Sequence, residues 1–474
     1  MEEVRTRFAP SPTGYLHIGG LRTALYAYLF ARQNGGKFIL RIEDTDLERY
    51  VDGAVEIIYN TLKDAGLVYD EGPDVGGDYG PYVQSERKEI YLKYAKQLVE
   101  SGDAYYCFCD KERLEQIHKD GATKYDKHCL KLSREEVEAR LARGDKYVIR
   151  QNIPEEGPTT YTDMVFGDIT VDCKDLEDNI LIKSDGMPTY NFANVIDDHL
   201  MGINYVIRGD EYLSSTPKYN LLYKALGWEI PKYMHLKPIM KDATRKLSKR
   251  YGDASYEDFI KRGFLKEAIV NYIALLGWSP KSNQEKFTLK EMEELFSVEG
   301  LSKSPSIFDE AKMRWLNSLY IKEMTPEAFY EYALPYFEKV EHLKGYDYKL
   351  LSSLLQGRIE VFSDVGAATE FLTQFDGYDL SLFENKKWKT DVSVAKAMLP
   401  GLIELAENDW DNLHDGLVAF GENNGYKKGQ VLWIFRIAIT GAQSTPGGAT
   451  EMAELLGKEK TVARLKASLD RVNA

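Results

Sequence analysis

The apolar positions of this chain change period repeatedly, and each change marks an element. Val4 to Ala9 is short and extended in character, and Pro10-Ser11-Pro12-Thr13-Gly14 interrupts it. From Ile18 onward Leu21, Leu25, Tyr28 and Leu29 recur at helical spacing. Strand, tight loop and helix in that order form a unit suited to phosphate. The helix start offers unbonded backbone N–H groups and the positive end of a dipole. Lys37 to Ile42 reads as a buried parallel strand, and residues 53–65 as a helix closed by Gly66. At about residue 84 the pattern shortens. Ser85 with Glu86 to Glu89 resembles a capped helix start, carrying Ile90, Tyr91, Tyr94 and Leu98 on its apolar face. Short mixed stretches follow at Tyr105–Phe108, Tyr147–Arg150, Met164–Val171 and Ile180–Lys183.

Tyr190 to Met201 returns to helical spacing, Val206-Ile207 is a short buried strand ending at Arg208, and Ser214-Ser215-Thr216 before Pro217 opens another helix. Met240 to Gly252 is too charged for a core, and Tyr256 to Gly277 reads as helical. Beyond Thr325 long amphipathic helices are expected at Glu327–Phe337, Lys349–Phe362, Val394–Glu407 and Val431–Ile439, with no strand-rich stretch. The order predicts an α/β nucleotide fold of Rossmann type. Its halves are 1–83 and 190–238, an insertion occupies 84–189, and an all-helical region spans 323–474. Ligands in open α/β sheets sit at the carboxyl ends of strands. That places the site between residues 7–46 and 190–211, with Glu43 and Arg208 at strand ends.

Bulk properties narrow the choice. A length of 474 residues fits about three domains at ~150 residues each, and 43% hydrophobic content can fill them. No apolar run approaches the ~20 residues of a membrane span, and MEEVRTRF does not read as a secretory signal. Four cysteines in so long a chain point to a reducing compartment. A net charge of −14 argues against general nucleic-acid affinity. RNA binding would then need local basic surfaces: Lys241, Arg245, Lys246, Lys249 and Arg250 in one loop, or Lys427, Lys428 and Arg436 near the C-terminus. Neither a GxxxxGK[ST] loop nor a Ser-His-Asp arrangement is evident.

Cys107-Phe108-Cys109 and Tyr125-Asp126-Lys127-His128-Cys129 stand apart as candidate metal ligands. On an extended strand residues i and i+2 face the same way, so two thiolates can converge, and zinc takes four N/S-type ligands. Cys129 is the third, and the fourth is Tyr125 or His128. The competing reading is three packed thiols with no metal. Cys173 reads as packing.

His17-Ile18-Gly19-Gly20 and the distant Lys246-Leu247-Ser248-Lys249-Arg250 resemble the two paired words of class I aminoacyl-tRNA synthetases. FAPSPTGYLHIGGLRTAL and RIEDTDLERY are similar to the glutamyl group in particular, and the similarity runs the length of the chain. One position departs from the general class word: Gly20 stands where a second His is usual. Phosphate stabilisation then leans on His17, backbone amides and the Lys249 loop.

The resemblance implies a class I synthetase catalytic domain with an inserted acceptor-binding domain, a stem-contact module at 239–322 and an all-α anticodon-binding region. Activation of L-glutamate by ATP with Mg²⁺, and transfer to the terminal adenosine of tRNA-Glu, follow from it. His17, Lys249 and Lys246 would be catalytic, and His17, Gly19, Gly20 and Lys249 would hold ATP. Arg7 maps to the side-chain carboxylate, with Ser11, Glu43, Tyr190, Asn194 and Arg208 as further substrate contacts. Arg358, Arg436, Thr445 and Pro446 fall where anticodon bases are read. Zinc-bearing relatives use a similar Cys-x-Cys, Tyr-x-x-x-Cys spacing. A monomeric cytoplasmic enzyme is expected. The rival readings are a synthetase that also charges tRNA-Gln and a small-molecule nucleotidyltransferase sharing the His17 word.

Overall fold

A computed structural model describes residues 3–46, 49–247, 255–373, 375 and 377–474. The chain forms two units, 1–261 with 266–310, and 262–265 with 311–474. In the first, β1 (Arg5–Phe8) runs parallel to β2 (Lys37–Leu40) in the register Arg7 to Ile39, with α1 (Ile18–Gln33) as the crossover. Parallel neighbours require such a crossover, and buried apolar strands allow it to cover their face. α2 (Ala54–Asp64) follows, and Gly66 closes it at φ +78°. After α3 (Lys88–Ser101) come β3 (Ala104–Cys107), α4 (Lys111–Lys119), α5 (Arg134–Ala142) and β4 (Val148–Gln151). Next are β5 (Pro158–Asp163), β6 (Gly167–Asp172) and β7 (Ile180–Ile182). β3, β4 and β7 form an antiparallel sheet.

The chain returns through α6 (Tyr190–Leu200), β8 (Tyr205–Gly209), α7 (Thr216–Ala225) and β9 (Lys232–Leu236). β8 and β9 are parallel, and β5 joins the far side of β9, where Asp163 pairs with Tyr233. The amide of Asn204 donates to the Arg5 carbonyl, so the two halves of the nucleotide fold meet along β1 and β8. One core unites α3, α6 and α7 through Tyr91, Leu98, Ile149, Phe192, Ile196 and Tyr219. β10 (Ile239–Met240), α8 (Tyr256–Lys261), α9 (Lys266–Leu275), α10 (Leu289–Leu295) and β11 (Ser306–Ile307) complete the unit.

Three elements expected before residue 310 differ. Ser85 does not cap a helix: residues 84–87 form a 3₁₀ turn, and the Ser85 amide and hydroxyl both bind Asp44, at 2.8 and 2.6 Å. The short stretch expected at Met164–Val171 is a turn running into β6, and β5 before it was not expected. Thr159, Tyr161 and Asp163 point inward in strict alternation along β5, a period that its polar composition obscures. Tyr256–Gly277 is not one helix. It breaks at 262–265, where Gly263 adopts φ +83° and a Cβ would lie 2.8 Å from the Phe362 nitrogen.

The second unit is helical: α11 (Glu310–Glu323), α12 (Pro326–Lys339), α13 (Tyr348–Leu355), α14 (Val365–Ala368), α15 (Val392–Asn408), α16 (Leu413–Asn423), α17 (Lys428–Thr440), α18 (Ala449–Leu456) and α19 (Lys458–Asn473). Among its described residues there is no strand. α13 stops seven residues short of the expected Phe362, since Gln356 turns its amide onto the carbonyls of Ile321 and Met324. Asp364 then accepts the amides of Glu360 and Val361. No described helix is long and apolar enough to cross a membrane.

Candidate functional site

His17 is the N-cap of α1. Its Nδ1 accepts the Gly19 amide at 3.0 Å. An accepting ring nitrogen carries no proton, so the neutral imidazole presents Nε2–H as a donor. A Cβ at Gly19 would stand 3.1 Å from that same Nδ1, so glycine keeps the helix start open. Arg22, one turn on, is buried and donates to the carbonyls of Leu276 (2.6 Å) and Lys237. This ties α1 to the strand leading into β10.

There the chain turns back, with Met240 paired to Lys246 and the Leu247 amide on the Ile239 carbonyl. Lys246 is exposed. Arg245 is not available as part of a basic patch, because Asp242 accepts its Nε at 2.7 Å. Lys249 and Arg250 lie outside the described residues. The chain reappears at Ser255, which pairs with His17, and the Tyr256 amide bonds the Leu16 carbonyl.

At the carboxyl ends of β1, β2 and β8 the expected substrate residues gather around a buried ionic network. Arg7 Nε bonds Asp198 Oδ1 at 3.0 Å, and its Nη1 bonds the Ile207 carbonyl at 3.2 Å. Asp198 also receives Arg41 Nη1 at 2.8 Å, and Arg41 holds Glu43 Oε1 with Nη2 at 2.8 Å. The Glu43 amide donates to the Pro10 carbonyl, which brings exposed Ser11 beside it. Burial pushes the Glu43 carboxyl up, further than Arg41 draws it down. Asn194 is buried one helical turn before Asp197 and Asp198, and its Nδ2 has no hydrogen-bond partner among the described residues. Tyr190 opens the same helix with its ring 5.3 Å from that of Tyr212.

Arg208 differs from its neighbours. Arg7, Arg41 and Arg87 each have a carboxylate within ion-pair distance, whereas Arg208 has none among the described residues. Its guanidinium lies over the rings of Tyr212, Tyr219 and Tyr233, at 5.2, 4.9 and 5.2 Å. Among the described residues it donates to Thr216 Oγ1 and His235 Nε2. Sequence reasoning missed Arg41, Asp197, Asp198, Asp163 and His235. The one available signal was Arg41 two places before Glu43, hence on the same face of an extended segment.

Cys107, Cys109 and Cys129 converge, their sulfurs within 4.8 Å of one another. Cys109 lies beyond the end of β3, so a loop and not strand pleating brings it in. Tyr125 Oη sits 3.3 Å from both Cys107 and Cys109 sulfurs, and His128 is not part of the cluster. In a tetrahedral zinc site with Zn–S near 2.3 Å, sulfurs stand about 3.8 Å apart. The Cys109–Cys129 separation of 3.5 Å fits that donor set. Hydrogen bonding with Cys129 holds the Cys107 thiol below the usual thiol range against its burial, with Tyr125 and Arg150 contributing. Cys173 is buried and outside the group.

In the helical unit Arg358, Thr445 and Pro446 line one cavity of about 740 Å³, together with Arg314, Phe371 and Thr440. Arg436 buttresses its rim, donating to Thr445 Oγ1 at 3.2 Å and to the Gln443 carbonyl at 3.0 Å. Arg314 is neutralised by Glu360 and Asp364, whereas exposed Arg358 has no carboxylate partner among the described residues.

Residues 3–315 match the family model for tRNA synthetases class I (E and Q), catalytic domain, and residues 328–469 match the anticodon binding domain. The chain is 55% identical to the glutamate–tRNA ligase of Clostridium botulinum (strain Eklund 17B / Type B), over 99% of each chain. It is 54% identical to that of Lachnoclostridium phytofermentans, over 100% of each. The structure resembles the crystal structure of a glutamate tRNA ligase from Elizabethkingia meningosepticum in complex with its amino acid. That likeness has a TM-score of 0.87 at 35% identity and covers 99% of this chain and 100% of the other. The chain belongs to the class I aminoacyl-tRNA synthetases, in the branch of the glutamate–tRNA ligases.

Proposed function

We propose that this chain activates L-glutamate with ATP and transfers it to the 3′-terminal adenosine of tRNA-Glu. The α-carboxylate of glutamate attacks the α-phosphorus of ATP, forming glutamyl-adenylate as pyrophosphate leaves. A ribose hydroxyl of the terminal adenosine then attacks the activated carbonyl, and AMP leaves. Neither step needs an enzyme nucleophile, so positioning and charge stabilisation do the work. His17 donates through Nε2–H to phosphate oxygens as charge builds, and the Gly19 and Gly20 backbone admits the triphosphate. Lys249, aided by Lys246, neutralises the pyrophosphate. ATP brings Mg²⁺, a hard cation that takes oxygen ligands.

The substrate's ammonium completes the charge compensation of Glu43, and its side-chain carboxylate meets Arg7 and Arg208, with Ser11, Tyr190 and Asn194 as further contacts. The observation that carries this reading is Arg208, a buried cation with tyrosine rings and uncharged acceptors around it. Burying a charge without a counterion is costly, so the pocket favours a ligand that brings a carboxylate. Glutamine would leave the arginine unsatisfied, and sites of that kind reject the wrong substrate steeply. The 84–189 insertion would take the acceptor end, 239–322 the stem and 323–474 the anticodon. Unpaired bases would enter the cavity at Arg358, Arg436, Thr445 and Pro446.

Labelled glutamate supplied with ATP and purified tRNA-Glu should become acid-precipitable, and labelled glutamine should not. Charging of tRNA-Gln in parallel measures how far the anticodon cavity discriminates. Pyrophosphate exchange that proceeds equally without tRNA, with no aminoacyl product, would favour the small-molecule nucleotidyltransferase.

Cys107, Cys109, Tyr125 and Cys129 are the proposed zinc ligands, where the ion would cross-link β3 to the following loops. Metal analysis of protein purified without chelator should give about one zinc per chain. Cys109→Ser should lose the metal and lower the thermal midpoint. Metal-free protein of unchanged stability would leave the group as packed thiols.

A further inference from the structure

Arg208 is fastened by an imidazole. Its Nε donates to His235 Nε2 at 3.2 Å, so that nitrogen bears no proton and the ring's single N–H lies on Nδ1. Asp163 Oδ2 takes it at 2.7 Å. Asp163 is itself fixed by the amides of Val165 and Phe166, both at 2.9 Å, and of His235 at 3.1 Å. All three side chains are buried: Asp163 at 1%, His235 at 0% and Arg208 at 5% exposure. Burial holds the imidazole below the usual histidine range, against the pull of Asp163 and with help from Arg208. It is neutral at pH 7.

A His–Asp pair of this geometry activates a nucleophile in hydrolases. Here it has no such task. The neighbouring hydroxyl, Thr216 Oγ1, lies 3.2 Å from His235 Nε2 but donates to the Tyr212 carbonyl at 2.7 Å and accepts from Arg208 at 2.6 Å. What His235 supplies is an accepting atom without charge, with the carboxylate held one imidazole away. A carboxylate in its place would grip Arg208 as firmly but offset its charge, whereas Asp198, 3.0 Å from Arg7, is shared with Arg41 and offsets Arg7 only in part.

We propose that His235 and Asp163 are specificity-determining positioning residues of the glutamate pocket: the pair orients Arg208 through an uncharged acceptor and leaves its positive charge for the substrate carboxylate. This rests on the reading that Arg208 receives that carboxylate. Asp163 comes from β5, in the segment between the two halves of the nucleotide fold, so part of the amino-acid selectivity is built by the insertion.

The tautomer makes this testable. Asp163→Asn keeps an oxygen for the Val165 and Phe166 amides but turns an N–H toward His235 Nδ1. The ring proton then moves to Nε2, donor facing donor at Arg208, the fault that a triad Asp→Asn change produces. In aminoacylation by the full chain the KM for glutamate should rise about tenfold or more, with the KM for ATP unchanged within about twofold. His235→Gln offers an amide oxygen whose accepting role needs no tautomer. The double variant Asp163→Asn/His235→Gln should therefore return the glutamate KM to within about threefold of the parent, a rescue no general packing defect would give.

A glutamate KM unmoved by Asp163→Asn, or a folded double variant no better than the single, overturns the proposal. If Asp163→Asn does not fold, His235→Gln against His235→Leu decides: Gln should hold the KM and Leu should raise it about tenfold. Equal values overturn it. Arg208→Gln is measured alongside. A glutamate KM indifferent to that change sinks the underlying pocket reading, whereas a large rise there with no effect at residues 163 and 235 sinks only the positioning role.

Discussion

Replacing His17 by alanine is expected to slow adenylate formation about 10²–10³-fold, the usual cost of one donor aimed at developing charge. Glutamate affinity should change little, since Arg7 and Arg208, the proposed carboxylate ligands, lie on β1 and β8. Two roles are superposed at this residue, and they can be separated. As N-cap the imidazole accepts the Gly19 amide through Nδ1. Losing a cap costs about 1 kcal/mol of stability. As the proposed phosphate donor it would use Nε2–H on the opposite side of the ring. His17→Asn should keep the cap, because an asparagine oxygen accepts an N2 amide well, yet lose the rate, because its amide does not reach as far. Pre-steady-state formation of adenylate and thermal unfolding, measured on both variants, check this. An Asn variant as active as the parent would mean that residue 17 serves the helix and not the phosphate.

Periodicity singled out His17, Glu43 and Arg208 as candidates because each sits where an element starts or ends, and such ends are where a sequence pattern is clearest, whereas Arg7 came from the family resemblance. Their supports were not legible. Asp197 and Asp198 occur in a helix whose other polar residues suggest an exposed face, yet they are 0% and 3% exposed. Nothing local to that helix announces the three arginines that neutralise them, which arrive from residues 7, 41 and 87. His235 and Asp163 are 72 residues apart in sequence and meet only through the pairing of β5 with β9. The break at Gly263 has the same origin, since the Phe362 amide on its carbonyl comes from far along the chain. Periodicity reports what one element buries. It does not report which distant element supplies the charge or the hydrogen bond there.

Asp198→Asn should be the most damaging single change to the fold of the catalytic unit. Asp198 Oδ1 accepts Arg7 at 3.0 Å and Arg41 at 2.8 Å in a fully enclosed setting. Arg41 retains Glu43, but Arg7 loses its only carboxylate among the described residues. Removing one partner of a buried pair typically costs about 3–5 kcal/mol, most of it the penalty of the charge left behind. The same change should raise the KM for glutamate, because Arg7 and, through Arg41, Glu43 lose their common anchor.

Asp197→Asn is the control. Asp197 serves mainly Arg87 at 2.7 Å, Gln84 at 2.9 Å and Tyr91 at 2.8 Å, and lies farther from Arg41, at 3.8 Å. Its loss should destabilise with a smaller effect on glutamate. The pH dependence carries its own sign. Burial by itself would raise the Asp198 carboxyl, but Arg7 and Arg41 hold it below the ordinary range. A depressed folded-state value means that its contribution is complete above the unfolded value of about 3.9 and is lost as pH falls through the lower, folded one. The stability gap between parent and Asp198→Asn should then be constant from neutral pH down to about 4 and close below it. A gap that instead closed as pH rose toward neutrality would show that Asp198 is protonated in the folded protein, and the ionic network would not be the anchor of the pocket.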